Sequence, residues 1–285
     1  MHVTEGLLYS IALLLRPERE GTIRATMGHQ VHSAFLKTIR RADKALADVL
    51  HHPSLPIRPF TVSPLLDLPP ARNRRIAITP DQTYTLRFTV LLPEIFQQFM
   101  NRFLHGSGRP TLRLGRVTFQ IHEILVTPGA SPWSGYTTFA ELVADAAPDP
   151  EVTLQFLSPT AFNLGQKEWG KQFHIFPEPK FVFESLLRTW NAFSPFPLPR
   201  EPLIAYVTDH VVVKRYALES KMLHYPRHYQ VGFMGSVTYG LMADDDEVRR
   251  QLNALADFAF YAGVGYHTTM GMGQTRRVLE GNDHG

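Results

Sequence analysis

Cysteine is absent from the 285 residues, which excludes disulfides, thiol nucleophiles and cysteine-ligated zinc or iron–sulfur centres. No run approaches the roughly 18 to 20 apolar residues of a membrane-spanning helix. The first residues alternate rather than forming a charged, apolar, cleavable leader, so a cytoplasmic protein without a membrane partner is expected. Lysine is scarce beside arginine, and the formal charge is only +3 although the pI is about 9.1. That balance accommodates phosphate ligands without requiring them. With 44% hydrophobic and 19% charged residues, the composition is that of an ordinary globular chain, long enough for two domains that each bury a core.

Histidine, by contrast, is plentiful, with 13 copies, several of them close together: His29 and His32, His51 and His52, His224 and His228. A histidine pair on a helix can ligate zinc, but the hydrolase motif places a glutamate between the pair and adds a third ligand. None of these pairs has both, so neither a metal nor a cofactor is expected.

Leu7, Tyr9, Ile11, Leu13 and Leu15 repeat at period two and predict a first strand. Val31, Phe35, Ile39, Ala42, Leu46 and Val49 follow at helical spacing, predicting a long helix with a break near Asp43. Pro53, Pro56 and Pro59 stop it, and Phe60–Leu66 reads as a short strand. Tyr84, Leu86, Phe88 and Val90 form an alternating strand, Pro93 opens a helix carrying Phe96, Phe99 and Phe103, and Val117, Phe119 and Ile121 mark another strand. The order is β-α-β-β-α-β, that of the ferredoxin-like fold. After a Pro/Gly/Ser-rich connection over 128–150, within which 136–143 reads as a short helix, the order repeats. A strand at 152–157 precedes a helix at 180–193, extended segments at 204–214 and 229–241, and a helix capped by Asp244-Asp245-Asp246. A last strand lies at 276–279. The fold class expected is α+β, a tandem pair of ferredoxin-like (RRM-like) domains spanning 1–135 and 136–285.

Between the last helix and strand lies Gly263-Val264-Gly265-Tyr266-His267-Thr268-Thr269-Met270-Gly271-Met272-Gly273. Four glycines flanking so short a span suggest a main-chain cradle for a ligand, or simply a turn joining two elements. Nucleotide fingerprints fit poorly, because a Rossmann loop opens a helix after a strand and a P-loop carries Gly-Lys-Ser/Thr. With Ala259-Phe260-Tyr261 before it and Gln274-Thr275-Arg276-Arg277 after it, the stretch resembles the C-terminal signature of the Cas-six family of CRISPR repeat-processing endoribonucleases, of the RAMP superfamily. Leu46-Ala47 through His51 and Pro59-Phe60-Thr61-Val62-Ser63-Pro64 resemble its N-terminal block. Ser158-Pro159-Thr160-Ala161-Phe162, Pro177-Glu178-Pro179 with Phe183-Glu184-Ser185-Leu186-Leu187, and Gly232-Phe233-Met234-Gly235-Ser236-Val237 resemble later blocks in family order.

The resemblance implies the same tandem fold and a metal-independent endoribonuclease that cuts precursor RNA within CRISPR repeats, leaving a 2′,3′-cyclic phosphate and a 5′-hydroxyl. A repeat-binding subunit without catalysis is the alternative. CRISPR repeat RNA is the implied partner, with CRISPR effector proteins beside it and a monomer or homodimer as the assembly. Such cleavage needs acid–base groups with pKa values near neutrality and a cation for the phosphate. His51 is the leading catalytic residue, because the resemblance places a histidine at this helix end; His52 is its immediate rival. His29, at a helix start suited to phosphate, could hold or protonate a leaving oxygen, whereas His32 reads as a structural neighbour. Ser194, ending the corresponding helix of the second domain, is a supporting hydrogen-bond candidate. Expected RNA contacts are Gly263, Gly265, His267, Gly271 and Gly273 of the loop, with Arg24, Arg188, Arg276 and Arg277. The family's usual lysine has no counterpart after His51.

Overall fold

A computed structural model describes residues 6–52, 55–66, 68–104, 110–225 and 228–278. The chain divides into two compact units, one formed by residues 1–137 with Thr269–Gly271, the other by 138–268 with 272–285.

The first unit contains β1 (Leu7–Pro17), β2 (Gly21–Arg24), α1 (Gly28–Ala42), α2 (Lys44–His51), β3 (Phe60–Leu66), β4 (Arg75–Ile78), β5 (Tyr84–Val90), α3 (Pro93–Leu104), β6 (Thr111–Leu114), β7 (Val117–Leu125) and β8 (Gly135–Thr138). Its sheet runs β3-β5-β1-β7-β6, with β8 also paired to β1. The four principal strands therefore lie in the spatial order second, third, first, fourth, which is the ferredoxin-like arrangement. Register explains the two faces. Ile11 opposes Phe88 and Leu13 opposes Leu86, and these join Val31, Phe35 and Ile39 of α1 in the core. The intervening positions, Ser10 opposite Thr89 and Ala12 opposite Arg87, put polar groups on the other face. There the buried Arg87 donates from Nε to Ser10 Oγ at 2.7 Å and lies over the Trp133 ring, which is how a charged side chain is tolerated inside.

The expected helix break falls at Asp43, whose extended backbone ends α1 and whose carboxylate accepts from Leu46 N at 2.9 Å to start α2. Such a cap stabilises a helix start by about 1 kcal/mol.

The second unit contains α4 (Phe139–Ala144), β9 (Glu151–Thr160), β10 (Phe162–Lys167), β11 (Gly170–His174), α5 (Pro179–Phe193), α6 (Arg200–His210), β12 (Val211–His224), β13 (Tyr229–Leu241), α7 (Asp246–Ala262) and β14 (Thr275–Val278). Its sheet order, β12-β13-β9-β14, reproduces the order of the first. Trp190 of α5 is fully buried, edge-on to Phe139 and Phe258, so its indole belongs to the core. The extended segment expected over 204–214 is corrected in its first half, because residues through His210 are helical. Ile204, Val207 and Thr208 favour strand locally, yet Leu203, Tyr206 and Val207 are the buried positions, and their i, i+3, i+4 spacing is that of a helix face. The side chain of Phe103 and the expected strand residue Leu279 lie outside the described residues.

Candidate active site

The candidate site lies in the first unit, where α1 begins and α2 ends. Met27 precedes α1 without providing a side-chain cap. At Gly28 a methyl group would fall 1.7 Å from the Met270 carbonyl oxygen, so glycine is required because the backbone of the loop tip lies directly on the helix start. The tip, Thr269–Gly271, belongs to this unit. Gly271, with φ +85°, brings its Cα beside Gly28, where an added Cβ would sit 3.6 Å from the Gly28 Cα and 3.4 Å from Pro64.

One turn into α1, His32 Nδ1 donates to the Thr269 carbonyl oxygen at 2.9 Å while the ring stacks on Phe60 at 5.8 Å. A carbonyl only accepts, so Nδ1 carries the proton and, in the neutral ring, Nε2 holds a lone pair. Burial lowers the His32 pKa most, and positive charge on His51, Arg58 and His29 lowers it further, against the opposing pull of the Thr269 bond. His32 therefore favours its neutral form more than an ordinary histidine does.

His51 is the last residue of α2 and is exposed, while His52 continues in extended backbone at φ −61° and ψ 131°. Leu50, 2% exposed, anchors the helix end. Arg58 Nη1 donates to the Leu50 carbonyl at 2.7 Å and the His52 carbonyl at 2.8 Å, occupying acceptors that a helix terminus otherwise leaves open. His29 is exposed in the first turn of α1. The arrangement sets a neutral imidazole, with its tautomer fixed, close to two exposed ones, a set able to accept one proton and give another.

No sequence pattern marks Arg58 or Thr269, and His32, expected as a structural neighbour, is bonded to the loop tip. The tautomer comes from a carbonyl 237 residues away, for which no local pattern exists. Arg58 directly precedes the Pro59–Pro64 block, the one available hint.

The other expected residues lie elsewhere in the two units. Gly263, Gly265 and Gly273 have φ of +63°, +84° and +70°, and a Cβ on them would meet carbonyl oxygens of Gly273, Ala161 and Val264 at 2.8, 2.6 and 2.1 Å. Three of the loop amides expected near a ligand are already engaged. Gly265 N donates to Ser185 Oγ at 2.8 Å, Tyr266 N to Ala161 O at 2.8 Å, and Gly273 N to Pro159 O at 3.1 Å. Close packing of main chain on main chain thus accounts for these three glycines. His267, at φ +59°, stacks on Tyr266 at 3.6 Å. Arg24 and Arg188 are exposed on β2 and α5. Arg276 donates from Nε to Gln155 Oε1 at 2.9 Å. Ser194 closes α5 in a local turn, accepting from Phe196 N at 3.0 Å and donating to Phe196 O at 3.2 Å.

Arg277, expected on an RNA-facing surface, is instead 8% exposed and paired with Asp149 at 2.7 Å and Asp257 at 3.1 Å. Burial pushes the Asp257 carboxyl up and Arg277 opposes the shift. Removing the arginine leaves both partly buried carboxylates uncompensated. Arg277→Ala should therefore lower stability by about 1–3 kcal/mol, read as a lower melting temperature, with the salt dependence of RNA binding unchanged.

Residues 7–144 match the CRISPR Cas6 N-terminal domain, and residues 154–275 match CRISPR-associated endoribonuclease Cas6. A Cas6 endoribonuclease of Mycobacterium tuberculosis is 24% identical over 252 residues, covering 88% of this chain and 72% of that protein. Thermus thermophilus Cas6 superposes with a TM-score of 0.72 at 25% identity, covering 96% of this chain and 99% of that one. In its product complex the TM-score is 0.81 at 26% identity, over 96% and 100% of the two chains. Two domain matches in chain order, on a doubled ferredoxin-like fold, place this chain in the Cas6 family of CRISPR-associated endoribonucleases.

Proposed function

We propose that the protein binds CRISPR repeat RNA and cuts precursor transcripts within the repeats without a metal ion, leaving a 2′,3′-cyclic phosphate and a 5′-hydroxyl. The observation that carries this reading is the convergence of His29, His32 and His51 at one end of α1, with His32 held by the Thr269 carbonyl. In the reaction, His32 Nε2 removes the proton from the 2′-hydroxyl, and the resulting oxygen attacks the adjacent phosphorus. The bond from phosphorus to the 5′-oxygen breaks, and that oxygen takes a proton from the His51 imidazolium. Burial suits His32 to the neutral role, and His51, exposed at the end of α2, stands open to the leaving oxygen. His29, in the first turn of α1, contacts the phosphate oxygens. Arg58 is a positioning residue, holding the α2 end that carries His51.

Repeat RNA incubated in EDTA should still be cut. A 2′-deoxy sugar on the 5′ side of the cut should abolish cleavage while leaving binding intact, because the nucleophile belongs to the RNA. Cleavage that needs a divalent cation and tolerates the deoxy sugar would overturn the mechanism, and binding without any cutting would make the chain a repeat-holding subunit.

A further inference from the structure

A groove of about 430 Å³ runs along the outer face of α1, walled on its other side by β6 and the turn into β7. His29, Ser33, Lys37 and Arg41 line it at every fourth residue, all exposed, so they form a single row on the helix with a rise of about 6 Å between neighbours. Arg113 of β6 faces the row from the opposite wall. Among the described residues that line this groove there is no carboxylate and no Phe, Tyr or Trp, and the His29 imidazole stands at its head. The neighbouring Arg40, by contrast, is paired with Asp48 at 3.4 Å, whereas Lys37, Arg41 and Arg113 have no ion pair among the described residues. Gln30 also lines the groove, its carboxamide oxygen buried and without a hydrogen-bond partner among the described residues.

We propose that this groove is a binding track for the sugar–phosphate backbone of an RNA segment flanking the cut. The row starts at His29, one of the site histidines, and leads away from it, so a strand whose phosphate is held at His29 continues onto Lys37 and Arg41. Evenly spaced cations and a serine hydroxyl match a chain of phosphates. Beyond His29 the described lining offers no aromatic platform for stacking bases, so it supplies sequence-independent affinity and register, and sequence is read elsewhere. The track rests on the RNA-cleaving reading above, but its test separates the two.

The experiment compares the parent, a Lys37→Gln/Arg41→Gln/Arg113→Gln variant and a Lys180→Gln/Arg250→Gln control, each checked by melting, on a repeat RNA with both flanks. Affinity is titrated at several salt concentrations, and single-turnover cleavage is measured at saturating protein. The groove variant should bind on the order of 10-fold or more weakly, with a salt slope smaller by about 0.7 for each lost single-strand contact. Its cleavage rate at saturation should stay within about 2-fold of the parent, and shuffling the flank sequence should change nothing. A salt slope equal to that of the control would overturn the track while leaving the nuclease reading intact. Weakened binding by the groove variant of a protein that cuts no repeat RNA would uphold the track and remove the nuclease reading. A benzophenone side chain at Ser33 gives an independent readout: it should cross-link to the flank, and a cross-link only to the nucleotides at the cut would refute the path.

Discussion

His51→Ala should lower the single-turnover cleavage rate on the order of 10²-fold or more, the loss typical when a positioned acid or base is removed, with RNA affinity nearly unchanged. Its geometry singles it out from its neighbour. His51 closes α2, whereas His52 has left the helix and contributes its carbonyl to Arg58. His52→Ala should therefore cost much less. The pH profile carries a second signature. Because burial and nearby positive charge lower the His32 pKa, the limb on which rate falls with acidity should lie below the ordinary imidazole value of about 6.5. Stability should follow the same group: an unfolded chain takes up the proton at higher pH than the folded one, so acidification below about 6.5 favours unfolding until the folded pKa is passed. Equal rates for His51→Ala and the parent would assign the acid to another histidine, with His29 the next to test.

Gly28→Ala should have the second large effect, for a steric reason. The added methyl would fall 1.7 Å from the Met270 carbonyl oxygen, and backbone atoms cannot share that space, so the loop tip must move off the start of α1. The tip also carries the carbonyl that orients His32. A displacement of about 1 Å in a reacting group can cost on the order of 10²-fold in rate, and cleavage should fall by that order along with a lowered melting temperature. His32→Asn separates the two consequences. Its amide reproduces the Nδ1 donor but offers no base at Nε2, so it should melt close to the parent and still fail to cut. An Asn variant that cleaves normally would reduce His32 to a latch for the loop.

The fold was readable because each unit announces itself in local patterns. Alternation in β1 and β5, the helical stripe of α1 and the carboxylate at Asp43 each act over a few residues, and their order alone selects the ferredoxin-like arrangement. Reading failed where tertiary burial overrode propensity, as in α6, whose β-branched residues favour strand until Leu203, Tyr206 and Val207 find a core. The candidate site is legible only in part. His29 and His51 stand at helix ends, positions marked by sequence, but the His32 tautomer depends on a distant carbonyl. The glycine loop left two readings open, a main-chain cradle or a turn, and Gly263, Gly265 and Gly273 are needed where backbone packs against backbone. Sequence records that a Cβ is forbidden without recording what forbids it.

The segment Thr269–Gly271 has a consequence for the timing of synthesis. These residues complete the first unit although they lie near the far end of the chain. A growing polypeptide emerges N-terminus first, and domains generally fold as they appear. Here the first unit can assemble its sheet early, but Gly28 stays uncovered and His32 lacks its carbonyl partner until translation has reached Gly271. An incomplete chain still on the ribosome therefore holds His32 without the bond that fixes its tautomer. If the proposed mechanism holds, cleavage can begin only once the segment through Gly271 has been made.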